Sequence, residues 1–199
     1  WNSPVRLRPK FFFPKTHPIM DNISITTINT HGLRDDGKRN RVFQYCKYKN
    51  YDFVLLQETH INSVNDIKRL DEEWGGKAFW SFGSYHSCGV GILQKRNCNI
   101  KVSNFYHDFD GRLVYINFVH NKCAYRLVNV YCPNDDKERK LFLSSISRHL
   151  IGNFKLIIGG DFNFVENPIL DKIGGNPSRG DIGKREMDIL IRSFDISDA

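Results

Sequence analysis

RLVYINFV (112–119) and YRLVNVYCP (125–133) are two apolar runs, rich in β-branched and aromatic residues, with little sequence between them. Runs of this kind read as strands. Two more, KAFWSFG (77–83) and GVGILQK (89–95), precede them, again with little helix between. Consecutive strands pair antiparallel, because a parallel pair needs a long crossover connection. Four in a row count against a plain doubly wound α/β sheet, which remains the alternative.

Outside this block the pattern alternates. ISITTIN (23–29) is β-rich and stops at Asn29, and DFVLLQE (52–58) is a near-continuous apolar run, as in a strand covered on both faces. GKRNRVFQYCKYKN (37–50) sets Val42 and Cys46 four apart among charges, which predicts a surface helix. NDDKERKLFLSSISRHL (134–150) opens with a capping pattern, Asp135 and then Glu138, and lines up Leu143, Ile146 and Leu150 on one face. KLIIGGDFNF (155–164) is a further strand. KREMDILIRSF (184–194) repeats the helical spacing with Met187, Leu190, Ile191 and Phe194. The expected fold is α/β, with two packed mixed, mostly antiparallel sheets flanked by helices.

The 199 residues suffice for one domain with a sizeable core. At 40% hydrophobic and 26% charged, the composition is that of an ordinary globular chain. The net charge of +7 favours an anionic partner, nucleic acid before an anionic membrane surface. Five scattered cysteines, Cys46, Cys88, Cys98, Cys123 and Cys132, show no CxxC spacing. They read as buried free thiols in a reducing, intracellular compartment rather than a zinc site or disulfide frame. No apolar stretch nears the ~20 residues of a membrane span. The chain opens on Trp1, as a processed start or a segment of something longer does. Residues 1–20 hold four prolines and four Lys/Arg but no acid, and are expected to form a basic extended arm or linker before a domain at 21–199.

Several strands deliver a polar group directly after buried sequence: Asn29, Glu58, Tyr131 with Asn134, and Asp161 with Asn163. Each alone has a plain structural reading. Asn29 suits a turn, Glu58 a helix start, Tyr131 a half-wet rim and Asp161 an Asx-turn. Together they form a set of hard oxygen ligands, suited to Mg²⁺ or Mn²⁺ rather than zinc. Glu58 with Asn29 would hold the metal, Asp161 would orient a water, and Tyr131 and Asn163 would donate to phosphate oxygens. Asp161 and Asn163, two apart, are expected to face one side as solvent-facing site groups, with Phe162 packed behind them. Gly159 and Gly160 are expected to free a sharp turn and to let substrate approach.

In order, TINTHGLR, LLQETH, SCGVGILQK, LVNVYCPN and IIGGDFN resemble the motifs of the endonuclease/exonuclease/phosphatase superfamily. The likeness is strongest to the apurinic-type endonuclease domain of non-LTR (LINE-type) retrotransposons, through GRLVYINF, GGDFNFVENPILDK and a helix ending FDISDA. The resemblance implies a four-layer α/β sandwich with its site at one mouth of the two sheets. It implies Asn29 and Glu58 as the metal-side pair, Tyr131 on phosphate, Asp161 orienting the nucleophile and Asn163 at the transition state. Arg34, Asn134 and Lys172 would contact DNA.

The activity implied is divalent-metal-dependent nicking of double-stranded DNA in the nucleus, leaving a 3′-hydroxyl primer for a reverse transcriptase in the same polyprotein. A phosphatase or phosphodiesterase, an RNA deadenylase, and a non-catalytic nucleic-acid-binding fragment are the alternatives. The superfamily closes with S-R-I-D and S-D-H, and neither is present here. The chain is therefore expected to lack closing strands and a His–Asp pair, and to be weakly active alone unless His31, His60 or His86 stands in.

Overall fold

Strand-forming runs joined by short connections fold this chain into two β-sheets lying face to face between two layers of helix. The computed structural model describes residues 10–14, 23–83, 88–163 and 183–198. Among these, the strands are β1 (Lys10–Pro14), β2 (Ile25–Asn29), β3 (Phe53–Gln57), β4 (Lys77–Ser81), β5 (Val90–Gln94), β6 (Val102–His107), β7 (Leu113–His120), β8 (Cys123–Tyr131), β9 (Lys155–Asp161) and β10 (Ile196–Asp198). The helices are α1 (Asp36–Lys49), α2 (Val64–Trp74), α3 (Asp136–Leu150) and α4 (Lys184–Ser193).

One sheet has the order β10-β1-β9-β8-β7-β6 and the other β2-β3-β5-β4. Both are mixed and mostly antiparallel; the parallel pairs are β2 with β3 and β8 with β9. Alternation along β3 shows how the layers form. Phe53 and Leu55, with Ile92 beside them on β5, face the other sheet and its Ile116, Leu127 and Ile157. Val54 and Leu56 face outward, under Phe43 of α1 and Leu70 and Trp74 of α2. On the far side, Leu143, Ile146 and Leu150 of α3 and Met187 and Leu190 of α4 cover Val128, Val130 and Ile158. Asp135 caps α3 as expected, its side chain accepting from the N–H of Lys137 and Glu138.

Five local readings change. Lys10–Pro14, assigned to an arm, is a strand between β9 and β10. Its basic and proline content masks three phenylalanines, of which Phe12 is fully buried. FDISDA does not continue a helix: α4 ends at Ser193, Asp195 takes a left-handed backbone, and Ile196–Asp198 pairs with β1. Helix α2 lies in a stretch left without helix, although Ser63 and the left-handed Gly75 cap it. Strand β6 is an added member of the antiparallel block; its polar, exposed residues and a register shift at Val102–Asn104 blur the alternation. The two glycines of β9 make no hinge. A Cβ on Gly159 would press on Phe11 and Leu55, and one on Gly160 (φ 142°) would strike the Val130 carbonyl, so both serve close packing inside the strand.

A buried polar clip joins the two sheets next to the strand ends. Asn129 of β8 donates through Nδ2 to the carbonyls of Leu56 (2.9 Å) and Gly91 (2.8 Å). It accepts from Gln57 Nε2 (2.6 Å), which also donates to Thr27 Oγ1 (2.9 Å). Asn129→Leu would strand two carbonyls and an amide in the core, at about 1–3 kcal/mol for each unmet group. The variant is expected to lose about 3 kcal/mol or more in urea denaturation. Unchanged stability would show that the clip does not hold the sheets together.

Candidate active site

The parallel pairs decide where the site lies. In register, Asn29 stands beside Gln57 at the end of one pair, and Tyr131 beside Asp161 at the end of the other. Both ends open at the same mouth of the sandwich. Loop backbone is laced there by hydrogen bonds. Gly32 N–H donates to Glu58 O, Leu33 N–H to Thr59 O, Thr59 N–H to Gly89 O and His60 N–H to Cys88 O. Thr30 Oγ1 adds bonds to the carbonyls of Gln57 and Glu58. This lacing holds strained backbone. His31 (φ 47°), Glu58 (φ 50°), His60 (φ 57°) and Asn163 (φ 51°) are all left-handed without being glycine. Such conformations cost of order 1–3 kcal/mol each and gather where side chains must be aimed.

At the centre, the Asn29 amide donates to two carboxylates, to Glu58 Oε1 at 2.9 Å and to Asp161 Oδ2 at 2.8 Å. Glu58 Oε1 also accepts from Tyr131 OH (3.0 Å), and Oε2 lies 2.9 Å from His31 Nδ1. Asp161 Oδ1 accepts from the Asn163 N–H at 3.0 Å. Burial opposes charge on Glu58, but hydrogen bonds from Asn29, Tyr131 and His31 outweigh it and hold its carboxyl below the ordinary glutamate value. Asp161 is buried more deeply, and burial lifts its carboxyl above the ordinary aspartate value despite the bonds from Asn29 and Asn163. Burial first, and the Glu58 charge second, push the Tyr131 phenol up, so it stays a proton donor. Burial also lowers His60, with Glu58 pulling the other way.

The structure thus brings Asn29, Glu58, Tyr131 and Asp161 into one hydrogen-bonded set. The expected metal pair, Asn29 and Glu58, meets through the Asn29 nitrogen, the amide end that can donate to both carboxylates. Asp161, expected to face solvent, is 4% exposed. Asn163 borders the set, half-buried, its amide donating to the Cys132 carbonyl at 2.6 Å. Asp161 thus closes an Asx-turn onto the Asn163 N–H and at the same time belongs to the hydrogen-bonded set. Phe162 packs behind as expected, edge-on to Phe12 at 5.1 Å. Arg34 stands beside the site, donating to His60 O at 2.8 Å. Asn134 is exposed on the turn after β8, and its carbonyl accepts from Arg139. Lys172 and His86 lie outside the described residues. Arg112, not foreseen, places its guanidinium 5.5 Å from the Tyr131 ring centre. Its signal was a cation opening a strand beside the tyrosine motif.

The chain matches the Endonuclease/Exonuclease/phosphatase family over residues 26–178. It is 31% identical over 180 residues to the Transposon TX1 uncharacterized 149 kDa protein of Xenopus laevis, covering 88% of this chain and 13% of that protein's length. Among solved structures, D. rerio TDP2 complexed with a single-strand DNA product superposes with a TM-score of 0.54 at 19% identity, over 72% of this chain and 62% of the other. A mannosyl-6-phosphatase of Bacteroides thetaiotaomicron VPI-5482 gives 0.55 at 13% identity, over 72% and 66%. These two likenesses concern the fold. With two mixed sheets between helices, acids at one mouth and a match across most of its length, the chain belongs to the endonuclease/exonuclease/phosphatase family.

Proposed function

We propose that this chain is a divalent-metal-dependent DNA endonuclease that nicks one strand of a nuclear double-stranded target. The cut leaves a 3′-hydroxyl for a reverse transcriptase in the same polypeptide, within a LINE-type retrotransposon. One observation carries the chemistry: two carboxylates, tied by one amide, have their proton affinities driven apart. Such a split assigns an anionic group and a base within one site. The likeness to the Xenopus transposon protein and the +7 charge support DNA as the phosphodiester substrate.

Glu58, kept ionised, is the residue that would hold the ion. A single carboxylate, with water and substrate phosphate filling the remaining positions, fits Mg²⁺ or Mn²⁺. The ion would supply Lewis-acid charge at the phosphate. Asp161, with its raised proton affinity, takes the proton of the attacking water as its oxygen bonds to phosphorus. The phosphorus–O3′ bond breaks, giving a 5′-phosphate and, once protonated, a 3′-hydroxyl. Tyr131 and Arg112 face developing charge, the first as a hydrogen-bond donor and the second as a cation. Asn29 keeps both carboxylates in register, and Arg34 and Asn134 flank the DNA path.

In the polypeptide that carries this chain, Glu58→Gln is expected to cut Mg²⁺-dependent nicking of supercoiled plasmid about a hundredfold or more while DNA retention persists. Ordinary nicking by that variant rules out the metal role. Turnover of inositol phosphates or sphingomyelin without nicking would point to another phosphoester, and loss of poly(A) tails to a deadenylase. DNA retention without cleavage under any metal would mark a binding module.

Asp161→Asn separates base from scaffold. Because folding raises the Asp161 proton affinity, its protonated form is the one folding favours. That contribution is full below the ordinary aspartate range and is lost as pH rises through the folded value. At neutral pH the buried charge is a burden that asparagine removes. Cleavage is expected to fall about 10²–10⁴-fold, with a melting temperature at or above that of the parent at pH 7 and a gap that narrows in acid. Melting well below the parent at pH 7 would make Asp161 structural. DNA affinity is expected to fall linearly in log–log form with added salt, as phosphate-bound counterions are released. A flat response to salt in a retention assay would tell against nucleic acid.

A further inference from the structure

We infer that His31 is a nitrogen donor to the ion held at Glu58, which tilts this site toward a first-row transition ion such as Mn²⁺ ahead of Mg²⁺. The inference rests on the proposed metal site and deepens it. Glu58 uses its two oxygens differently. Oε1 is taken up by Asn29 Nδ2 and Tyr131 OH. Oε2 faces His31 Nδ1 at 2.9 Å. Two donors at right angles on one ion, each ~2.1 Å from it, stand ~3.0 Å apart. The observed separation thus suits a shared ion as well as a hydrogen bond.

The surroundings are arranged for access and aim. The His31 side chain is 66% exposed and that of Glu58 18%, so an ion reaches the pair from solvent. The left-handed His31 backbone, with its N–H on Asn29 Oδ1 at 3.1 Å, holds the ring over the carboxylate. His60 stands further back, Nε2 4.0 Å from the same oxygen, its ring seated so closely that a Cβ on Gly32 would lie 2.8 Å from Nδ1. Among the described residues, no three or more His, Cys, Asp or Glu form a ready-made cage for a metal. Among the described residues, Glu58 and His31 are the carboxylate and imidazole placed to share an ion. Magnesium takes oxygen ligands, whereas first-row transition ions also accept an imidazole nitrogen, Mn²⁺ the most weakly of them, so the nitrogen tilts the pair away from Mg²⁺. A plain His31–Glu58 ion pair is the competing arrangement, with a proton where the ion would sit and no metal–nitrogen bond.

The full chain is titrated with Mn²⁺, following free ion by electron paramagnetic resonance, and the bound Mn²⁺ is then displaced with Mg²⁺. Pulsed measurements on bound Mn²⁺ read ¹⁴N couplings from an attached imidazole. The expected result is ¹⁴N modulation in the parent that disappears in His31→Ala, with Mn²⁺ affinity down about tenfold or more. Mg²⁺ affinity is expected to stay within about twofold. Circular dichroism and melting establish that the variant is folded. Bound Mn²⁺ without ¹⁴N coupling, or an unchanged Mn²⁺ to Mg²⁺ ratio in His31→Ala, overturns the inference and leaves the metal site standing. Coupling that survives in His31→Ala and is lost in His60→Ala also overturns it, passing the role to His60. If neither ion binds, or binding is indifferent to Glu58→Gln, the metal reading of Glu58 falls as well.

Discussion

The Asn29 amide is the joint on which the site depends. Its NH₂ group spans Glu58, on the strand-end loop of the smaller sheet, and Asp161, at the end of a strand of the larger one. Asn29 and Asp161 are 132 residues apart in sequence, so the bond exists only once both sheets have docked. Two carboxylates this close repel each other when both are ionised, and a shared donor reduces that repulsion. The amide also cannot favour both acids equally. Glu58 gains a further donor from Tyr131 and faces His31, whereas Asp161 sits deeper. The asymmetry of burial and donors, rather than residue type, is what lowers the proton affinity of one acid and raises that of the other.

Holding that joint demands a rigid frame. Strained backbone at His31, Glu58, His60 and Asn163 would relax if the loops were free, since each left-handed residue has a cheaper conformation available. The sandwich prevents this in two ways. Parallel pairing of β2 with β3 and of β8 with β9 fixes which residues stand at the strand ends. The Asn129–Gln57 clip then fixes the distance between the sheets, one residue before Glu58 and two before Tyr131. A buried polar bridge is a costly way to join two apolar faces, but it tolerates no sliding, because a shift in register would leave amides and carbonyls unmet. The apolar interior supplies the bulk of the cohesion, and the clip supplies its register.

Much of this was legible in the sequence, and the reasons are local. Buried strands such as DFVLLQE and YRLVNVYCP announce themselves by β-branched content, and the polar residues just past them mark the mouth. Asn29, Glu58, Tyr131 and Asp161 were readable because a strand end is a point where periodicity stops and chemistry begins. What sequence could not give was direction. Which end of the Asn29 amide faces the acids, how deep Asp161 sits, and whether Gly159 and Gly160 serve a turn or close packing depend on partners far away in the chain. Strand β1 was hidden because its phenylalanines sit among prolines and cations, and its neighbours, β9 and β10, lie at the other end of the sequence.

Strand β1 also bears on why a buried acid is tolerated. Phe12, fully buried, meets the edge of Phe162, the residue between Asp161 and Asn163. Phe11 covers Gly159 in the same strand as Asp161. The backbone that carries the buried carboxylate is therefore packed on both faces, by Phe12 against Phe162 on one and by Phe11 on the face that Asp161 shares. Burial raises the proton affinity of Asp161, and close packing on both faces of β9 leaves the strand little room to yield. Packing and reactivity here are one arrangement seen from two faces of β9. A looser β9 would lie more comfortably, but Asp161 would then be better hydrated and lose part of the raised proton affinity that burial gives it.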